Sequence, residues 1–259
     1  MVAHLRPDVG TAHHEPGEPR EPAPPADHRL RSARDAWRAA RLHPAVPPAE
    51  GAAESVIAPA LPPLLDLAGT AVFALSGALV AARLKQTFVT LSFFALVTGV
   101  GGGTVRDLLI GVRPFWLDDQ WVAPLIFAVA LVAWFTPRRW WEGALLEWAD
   151  AAGLATYAVI GTAKALAYGV APVPAVVVGV ISGCAGGIVR DLLAGLPSIL
   201  MRPELYVTAA ALGAALCALG SVAGLPPAPV WSAAALAAFA LRGAALIWRI
   251  ELPAYSRQA

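Results

Sequence analysis

Charge is scarce in this sequence. Only 14% of its 259 residues are Asp, Glu, Lys or Arg, where a soluble domain carries about a quarter. Cysteine is nearly absent: Cys184 and Cys217 both sit inside apolar runs, which excludes a disulfide framework and a thiolate metal pair. Histidine is confined to the amino-terminal stretch (His4, His13, His14, His28 and His43), so the apolar remainder has none for a haem, a zinc or a catalytic triad. The formal net charge of +1 gives no reason to expect nucleic acid or another polyanion as partner. There is no phosphate-binding loop, no His-Glu-x-x-His and no nucleophile elbow. The glycine runs do not follow a strand, so a dinucleotide site fails as well. Nothing equips the chain as an enzyme, and no cofactor or metal centre is expected.

What remains is apolar, with a mean hydropathy of +0.62. No charge lies between Asp66 and Arg83, Lys85 and Arg106, Asp119 and Arg138, Lys164 and Arg190, or Glu204 and Arg242. Spans of roughly 17–25 mostly apolar residues fit the hydrocarbon core as helices. The pattern predicts an all-α integral membrane protein with seven transmembrane helices over 64–82, 88–110, 121–135, 149–168, 174–194, 205–222 and 229–250. Membrane lipids are therefore its expected surroundings. Trp116, Trp121, Trp140, Trp141, Trp148, Trp231 and Trp248 fall near the predicted ends, as interfacial aromatic belts do. Residues 1–57 differ: rich in Pro, Glu, Arg and His, they read as a disordered tail. Within them, 30–42 has the pattern of a basic helix that would either rest on headgroups or stay solvated. No charged start with an apolar run and small-residue cleavage site is present, so a cleaved signal peptide is not expected.

One phrase is written twice. Gly102-Gly103-Thr104-Val105-Arg106-Asp107-Leu108-Leu109 returns as Gly186-Gly187-Ile188-Val189-Arg190-Asp191-Leu192-Leu193, with positions 107 and 191 standing 84 residues apart. At that offset Asp66 meets Asp150, Gly69 meets Gly153 and Gly77 meets Gly161. This is an internal duplication. The expected organisation is a first three-helix repeat over 61–145, a second over 146–225 and an accessory seventh helix over 228–250. Three crossings per copy is an odd number, so the second copy is inverted, an architecture typical of proteins that move solutes or ions.

Lys and Arg in the short loops give an orientation. Arg83, Lys85, Arg138, Arg139 and Arg202 follow helices one, three and five, whereas only Arg113 follows helices two, four or six once Arg106 is assigned to the motif. The carboxyl terminus is then cytoplasmic and the amino terminus outside, in a multi-pass inner or plasma membrane protein.

Gly101, Gly102 and Gly103, and Gly186 and Gly187 in the second copy, weaken their helices by about 1 kcal/mol each relative to alanine. They serve either close packing through small residues or an unwound stretch whose carbonyls face a water-filled path. Their recurrence at inverted positions favours unwinding. Freed carbonyls with Thr98, Thr104 and Ser182 would then offer oxygens to a hard cation. Arg106-Asp107 and Arg190-Asp191 follow; at about 1.5 Å per residue, Arg106 lies some 27 Å along its helix, towards the outer side, and Arg190 lies towards the cytoplasmic side. Either they bracket a polar passage, or each Arg snorkels while its Asp caps or pairs. Asp66 and Asp150 open the first helix of each copy, where the helix dipole favours an acid. Lys164 stands where the first copy has Val80, and is a candidate gating or substrate-facing charge or else a snorkelling stem. Arg242 is expected to snorkel to the cytoplasmic end.

A Gly-Gly-Gly-x-x-Arg-Asp segment with Pro114-Phe115-Trp116 downstream, and a second Gly-Gly-x-x-Arg-Asp-x-x-x-Gly with Pro197, resembles the prokaryotic TRIC family, the trimeric intracellular cation channels. The resemblance runs from about Leu64 to Trp248. It implies a homotrimer with a pore in each subunit, lined by bent helices two and five and conducting potassium. Some bacterial relatives are regarded instead as glycine transporters, so transport of glycine or a similar small zwitterion through the same inverted-repeat site stands as the alternative. A non-conducting scaffold would explain the hydrophobicity but not the doubled glycine runs. The sequence on its own predicts that a reporter fused after Ala259 is active on the cytoplasmic side; a periplasmic or extracellular signal there would refute the charge count.

Overall fold

The computed structural model describes residues 63–137, 144–197 and 205–251; the sequence-predicted disordered tail lies outside the described residues. The helices are α1 (Pro63–Arg83), α2 (Phe88–Leu109), α3 (Val122–Phe135), α4 (Leu145–Ala167), α5 (Pro172–Leu193), α6 (Val207–Val222) and α7 (Pro227–Trp248), with one 3-10 turn at Phe115–Leu117. Helices α1, α2, α5 and α7 are long and apolar enough to cross a membrane, whereas α3 and α6 are shorter apolar helices. Helix α4 starts earlier than the hydropathy pattern suggests, because its first turns carry Glu147 and Asp150. Phe93, Phe127, Phe135, Val173, Leu219 and Leu236 point outwards, as apolar side chains do where the surrounding medium is hydrocarbon.

Local chemistry sets the helix ends. Thr87 caps α2 by accepting the Thr90 amide at 3.3 Å. Pro172 and Pro227 open α5 and α7, where the missing N–H costs nothing. Helices α2 and α5 end alike. Gly111 (φ +75°) donates to the Leu108 carbonyl and Val112 to Asp107; Gly195 (φ +63°) donates to Leu192 and Leu196 to Asp191. These are left-handed glycine closures that satisfy the last carbonyls. Helix α5 thus reproduces α2 from first residue to last, 84 positions on.

The two copies meet reciprocally. Phe73 of α1 and Tyr157 of α4 occupy equivalent positions and stack with ring centroids 5.3 Å apart. A Cβ added at Gly69 would strike Tyr157, and one at Gly153 would strike Phe73. Such i-to-j, j-to-i contacts are the signature of a two-fold relation. Its direction follows from the ends. Lys164, near the carboxyl end of α4, reaches Asp107, whose neighbour Arg106 reaches Asp66 at the amino end of α1. The first helices of the two copies therefore run antiparallel, and the repeats are inverted. Three apolar clusters hold the assembly: one shared by α1, α2 and α3, one by α4, α5 and α6, and one by α4, α6 and α7.

The glycine runs correct an expectation. Both α2 and α5 continue through them without a break, and no residue there takes a positive φ. The glycines let α2 and α5 cross at backbone distance instead. A Cβ at Gly102 would press on the Ser182 carbonyl, and one at Gly186 would lie 3.2 Å from the Thr98 carbonyl; at the separate α1–α2 contact, one at Gly77 would lie 2.5 Å from the Phe94 carbonyl. Helical propensity lost at each glycine is offset by packing that no larger residue permits. Two carbonyls of the run do take an extra partner, Gly99 from the Tyr157 hydroxyl and Gly102 from the Ser182 hydroxyl, each at 3.2 Å.

At Gly101 the nearest atom to an added Cβ is the Gly186 Cα at 3.8 Å, and the equivalent residue in the second copy is Ala185. Gly101→Ala is therefore expected to raise the melting temperature in detergent, by up to about 1 kcal/mol of recovered helix propensity. Gly102→Ala is expected to destabilise by about 1–3 kcal/mol. Equal melting temperatures for the two variants would refute the crossing as the reason for the glycines.

Candidate functional site

Among the described residues, most of the ionisable side chains in the spans gather into two clusters at opposite ends of the bundle. In the first, the Arg106 Nε donates to the Asp107 Oδ1 at 2.8 Å, and its Nη1 donates to the Asp66 Oδ1 at 2.8 Å. The Lys164 Nζ donates to the same Asp107 Oδ1 at 2.8 Å. Asp107 Oδ2 accepts the Phe115 amide at 2.7 Å, and the Phe115 ring lies 5.7 Å from the guanidinium carbon. Arg106 and Asp107 are fully buried. Two carboxylates face two cations, so the cluster is neutral.

The second cluster repeats this plan. The Arg190 Nε donates to the Asp191 Oδ1 at 2.9 Å and its Nη1 to the Asp150 Oδ1 at 2.6 Å, the Ser76 Oγ accepting from the same nitrogen at 3.1 Å. Each arginine thus spans an acid one residue ahead and an acid 40 residues behind. Only a guanidinium has the planar fork for this. Removing a partner from such a buried set is costly because it strands a charge in low dielectric. The arginines do not snorkel, and the acids at the starts of α1 and α4 do more than meet a helix dipole: they are the arginines' partners.

The other sequence-predicted residues divide. Gly101, Gly102, Gly103, Ser182, Gly186 and Gly187 lie at or beside the α2–α5 crossing, between the clusters. Gly103 faces Phe115, and Gly187 faces Tyr206 and Asp150. Thr104 stands apart from the ion pairs: its hydroxyl donates to the Val100 carbonyl at 2.7 Å and accepts from the Trp116 Nε1 at 3.0 Å. Lys164 joins the first cluster rather than an interface. Arg242, expected to snorkel, is fully buried, with its guanidinium 5.3 Å from the Tyr206 ring. Sequence reasoning missed the roles of Ser76, Thr70 and Tyr157, whose hydroxyls bond between copies (Thr70 Oγ1 to Tyr157 Oη at 2.9 Å). No signal marked them. Among the described residues no group of three or more His, Cys, Asp or Glu is placed to hold a metal ion.

Known proteins share this fold. The profile of the family described as "Glycine transporter" matches twice, over residues 63–138 and 147–221. A UPF0126 membrane protein of Vibrio cholerae serotype O1 is 37% identical, with 74% of this chain and 82% of that protein covered. The UPF0126 inner membrane protein YadS of Escherichia coli strain K12 is also 37% identical, over 74% of this chain and 95% of its own. Among solved structures, the TRIC trimeric intracellular cation channel orthologue from Rhodobacter sphaeroides superposes with a TM-score of 0.67 at 39% identity, covering 72% of this chain and 97% of that one.

The Lys164–Asp107 contact is open to a double-mutant cycle. Lys164→Met and Asp107→Asn are expected to be non-additive in unfolding free energy by about 0.5–3 kcal/mol, as contacting residues are. Additivity would show that the pair contributes nothing to the fold.

Proposed function

The chain belongs to the family described as glycine transporters, and from that premise we propose that it is a channel for monovalent cations, with potassium as the permeant ion. The observation that carries the reading is the inverted crossing of α2 and α5, with a buried ion-pair cluster at each end. The likeness to the Rhodobacter sphaeroides TRIC channel supports it. Fixed charge clusters at both ends of an apolar bundle suit selection and passage better than bond-making chemistry.

The path runs along the crossing, past Gly101, Gly102, Gly103, Thr104 and Ser182 in one direction and Gly186 and Gly187 in the other. Arg106 with Asp107 stands at one mouth and Arg190 with Asp191 at the other. Lys164, 15% exposed at its side chain, is the charge an ion meets at the first mouth. Three such subunits assemble, trimeric being what the name of the Rhodobacter sphaeroides relative says of that protein, and each subunit carries its own path. The excess of Lys and Arg in the loops after helices one, three and five supports a cytoplasmic carboxyl terminus and an amino terminus outside.

A second reading rests on the description of the family itself: the same inverted halves carry glycine or a similar small zwitterion, rocking between two states. Recording from planar bilayers in potassium separates the two. Discrete current steps are expected, and Lys164→Glu, which reverses the charge at the first mouth, is expected to change their conductance several-fold. Saturable glycine uptake into liposomes without current would overturn the channel in favour of the transporter.

A further inference from the structure

The two ion-pair clusters are not equal, and their difference lies at one position. In the first cluster the Lys164 ammonium sits on the Asp107 Oδ1. The residue equivalent to Lys164 in the other copy is Val80. Where a lysine would reach Asp191 from position 80, the protein has a cavity of about 130 Å³. Val80, Arg83, Glu147, Asp150, Arg190 and Asp191 are among its lining residues. Three carboxylates thus stand against two guanidiniums, one of them on the exposed Arg83, whereas the first cluster balances two against two.

The carboxylates themselves show the imbalance. Asp66 uses both oxygens on Arg106, Oδ1 at 2.8 Å and Oδ2 at 3.5 Å. Its equivalent, Asp150, is 1% exposed and gives only Oδ1 to Arg190; its Oδ2 is buried without a hydrogen-bond partner. The Glu147 Oε2 is buried and unpartnered in the same way. Tyr206 packs against Gly187 beside Asp150. A buried carboxylate oxygen left without a donor is costly, and a cation is the partner that relieves it.

We propose that this cavity is a binding site for a small monovalent cation, which takes the place that the Lys164 ammonium holds in the other half. The shared chemistry is a single positive charge of ammonium size, whether an alkali-metal ion or the amino head of a small amine. The volume admits such an ion with a few waters. The site is fixed at one end of the bundle, and it holds whether or not ions pass through the protein.

The test is equilibrium dialysis of the full chain in lipid nanodiscs, with choline maintaining ionic strength. One arm uses radiolabelled rubidium and the other radiolabelled methylammonium. Val80→Lys supplies the missing ammonium from the chain itself. Wild-type protein is expected to bind one cation per chain more than Val80→Lys does. Rubidium alone in that role assigns an inorganic ion; methylammonium alone assigns an amine. Binding of neither, or equal binding by wild type and Val80→Lys, overturns the proposal. Should Val80→Lys fail to fold, Glu147→Gln decides: several-fold weaker binding supports the site and unchanged affinity overturns it. Conduction is read separately in bilayers. Currents with no Val80-dependent binding sink this site alone, and the binding without currents sinks the channel alone.

Discussion

A guanidinium buried between two carboxylates, once in each half, is the constraint on which the rest of the structure depends. Arg106 and Arg190 sit in low dielectric, where an unpaired charge would be driven out or neutralised. Each is tied to the next residue of its own helix and to the first helix of its own repeat. Those bonds fix the height of α1 against α2 and of α4 against α5. With the heights set, Phe73 meets Tyr157 and the glycines of α2 fall opposite those of α5. In lipid, where helices gain little from hydrophobic burial against one another, such polar ties and close contacts do much of the positioning.

The inverted duplication explains why the protein has two such ties, and departures from it show where the halves have specialised. Position 80 is Val in one half and its equivalent, 164, is Lys in the other. One cluster is closed by an ammonium from the opposite repeat, and the other opens onto a cavity. Gly101 has become Ala185 at the crossing, where one extra methyl fits. The two ends of the bundle therefore differ in chemistry.

Much of this is legible in the sequence. The apolar spans, the duplication and the resulting inversion follow from hydropathy and from one offset, because a helix that crosses lipid has little freedom in length or composition. The pairing of Asp66 with Arg106 was half legible: both acids recur at the offset of the motif, but an acid at a helix start already has a local explanation. The glycine runs misled because low helix propensity is a local quantity. The packing that compensates it comes from Ser182 and Thr98, more than 70 residues away from their partners in one case and the other. Arg242 misled for a similar reason. Distance from a helix end suggests snorkelling, but the Tyr206 ring against the guanidinium stands at the N-cap of another helix, α6.

The sequence by itself determined that the chain is a helical membrane protein, that it is built from two inverted copies, and which few residues carry charge inside the spans. Period, hydropathy and repetition are properties of neighbouring residues, and lipid leaves them few ways to be satisfied. Only the tertiary structure decided how those charges are neutralised, that the glycine-rich helices stay continuous, and that one end keeps a buried carboxylate oxygen beside a cavity. Charge neutralisation in low dielectric depends on which groups stand within about 3 Å of each other. That distance is set by the packing of helices far apart in the chain.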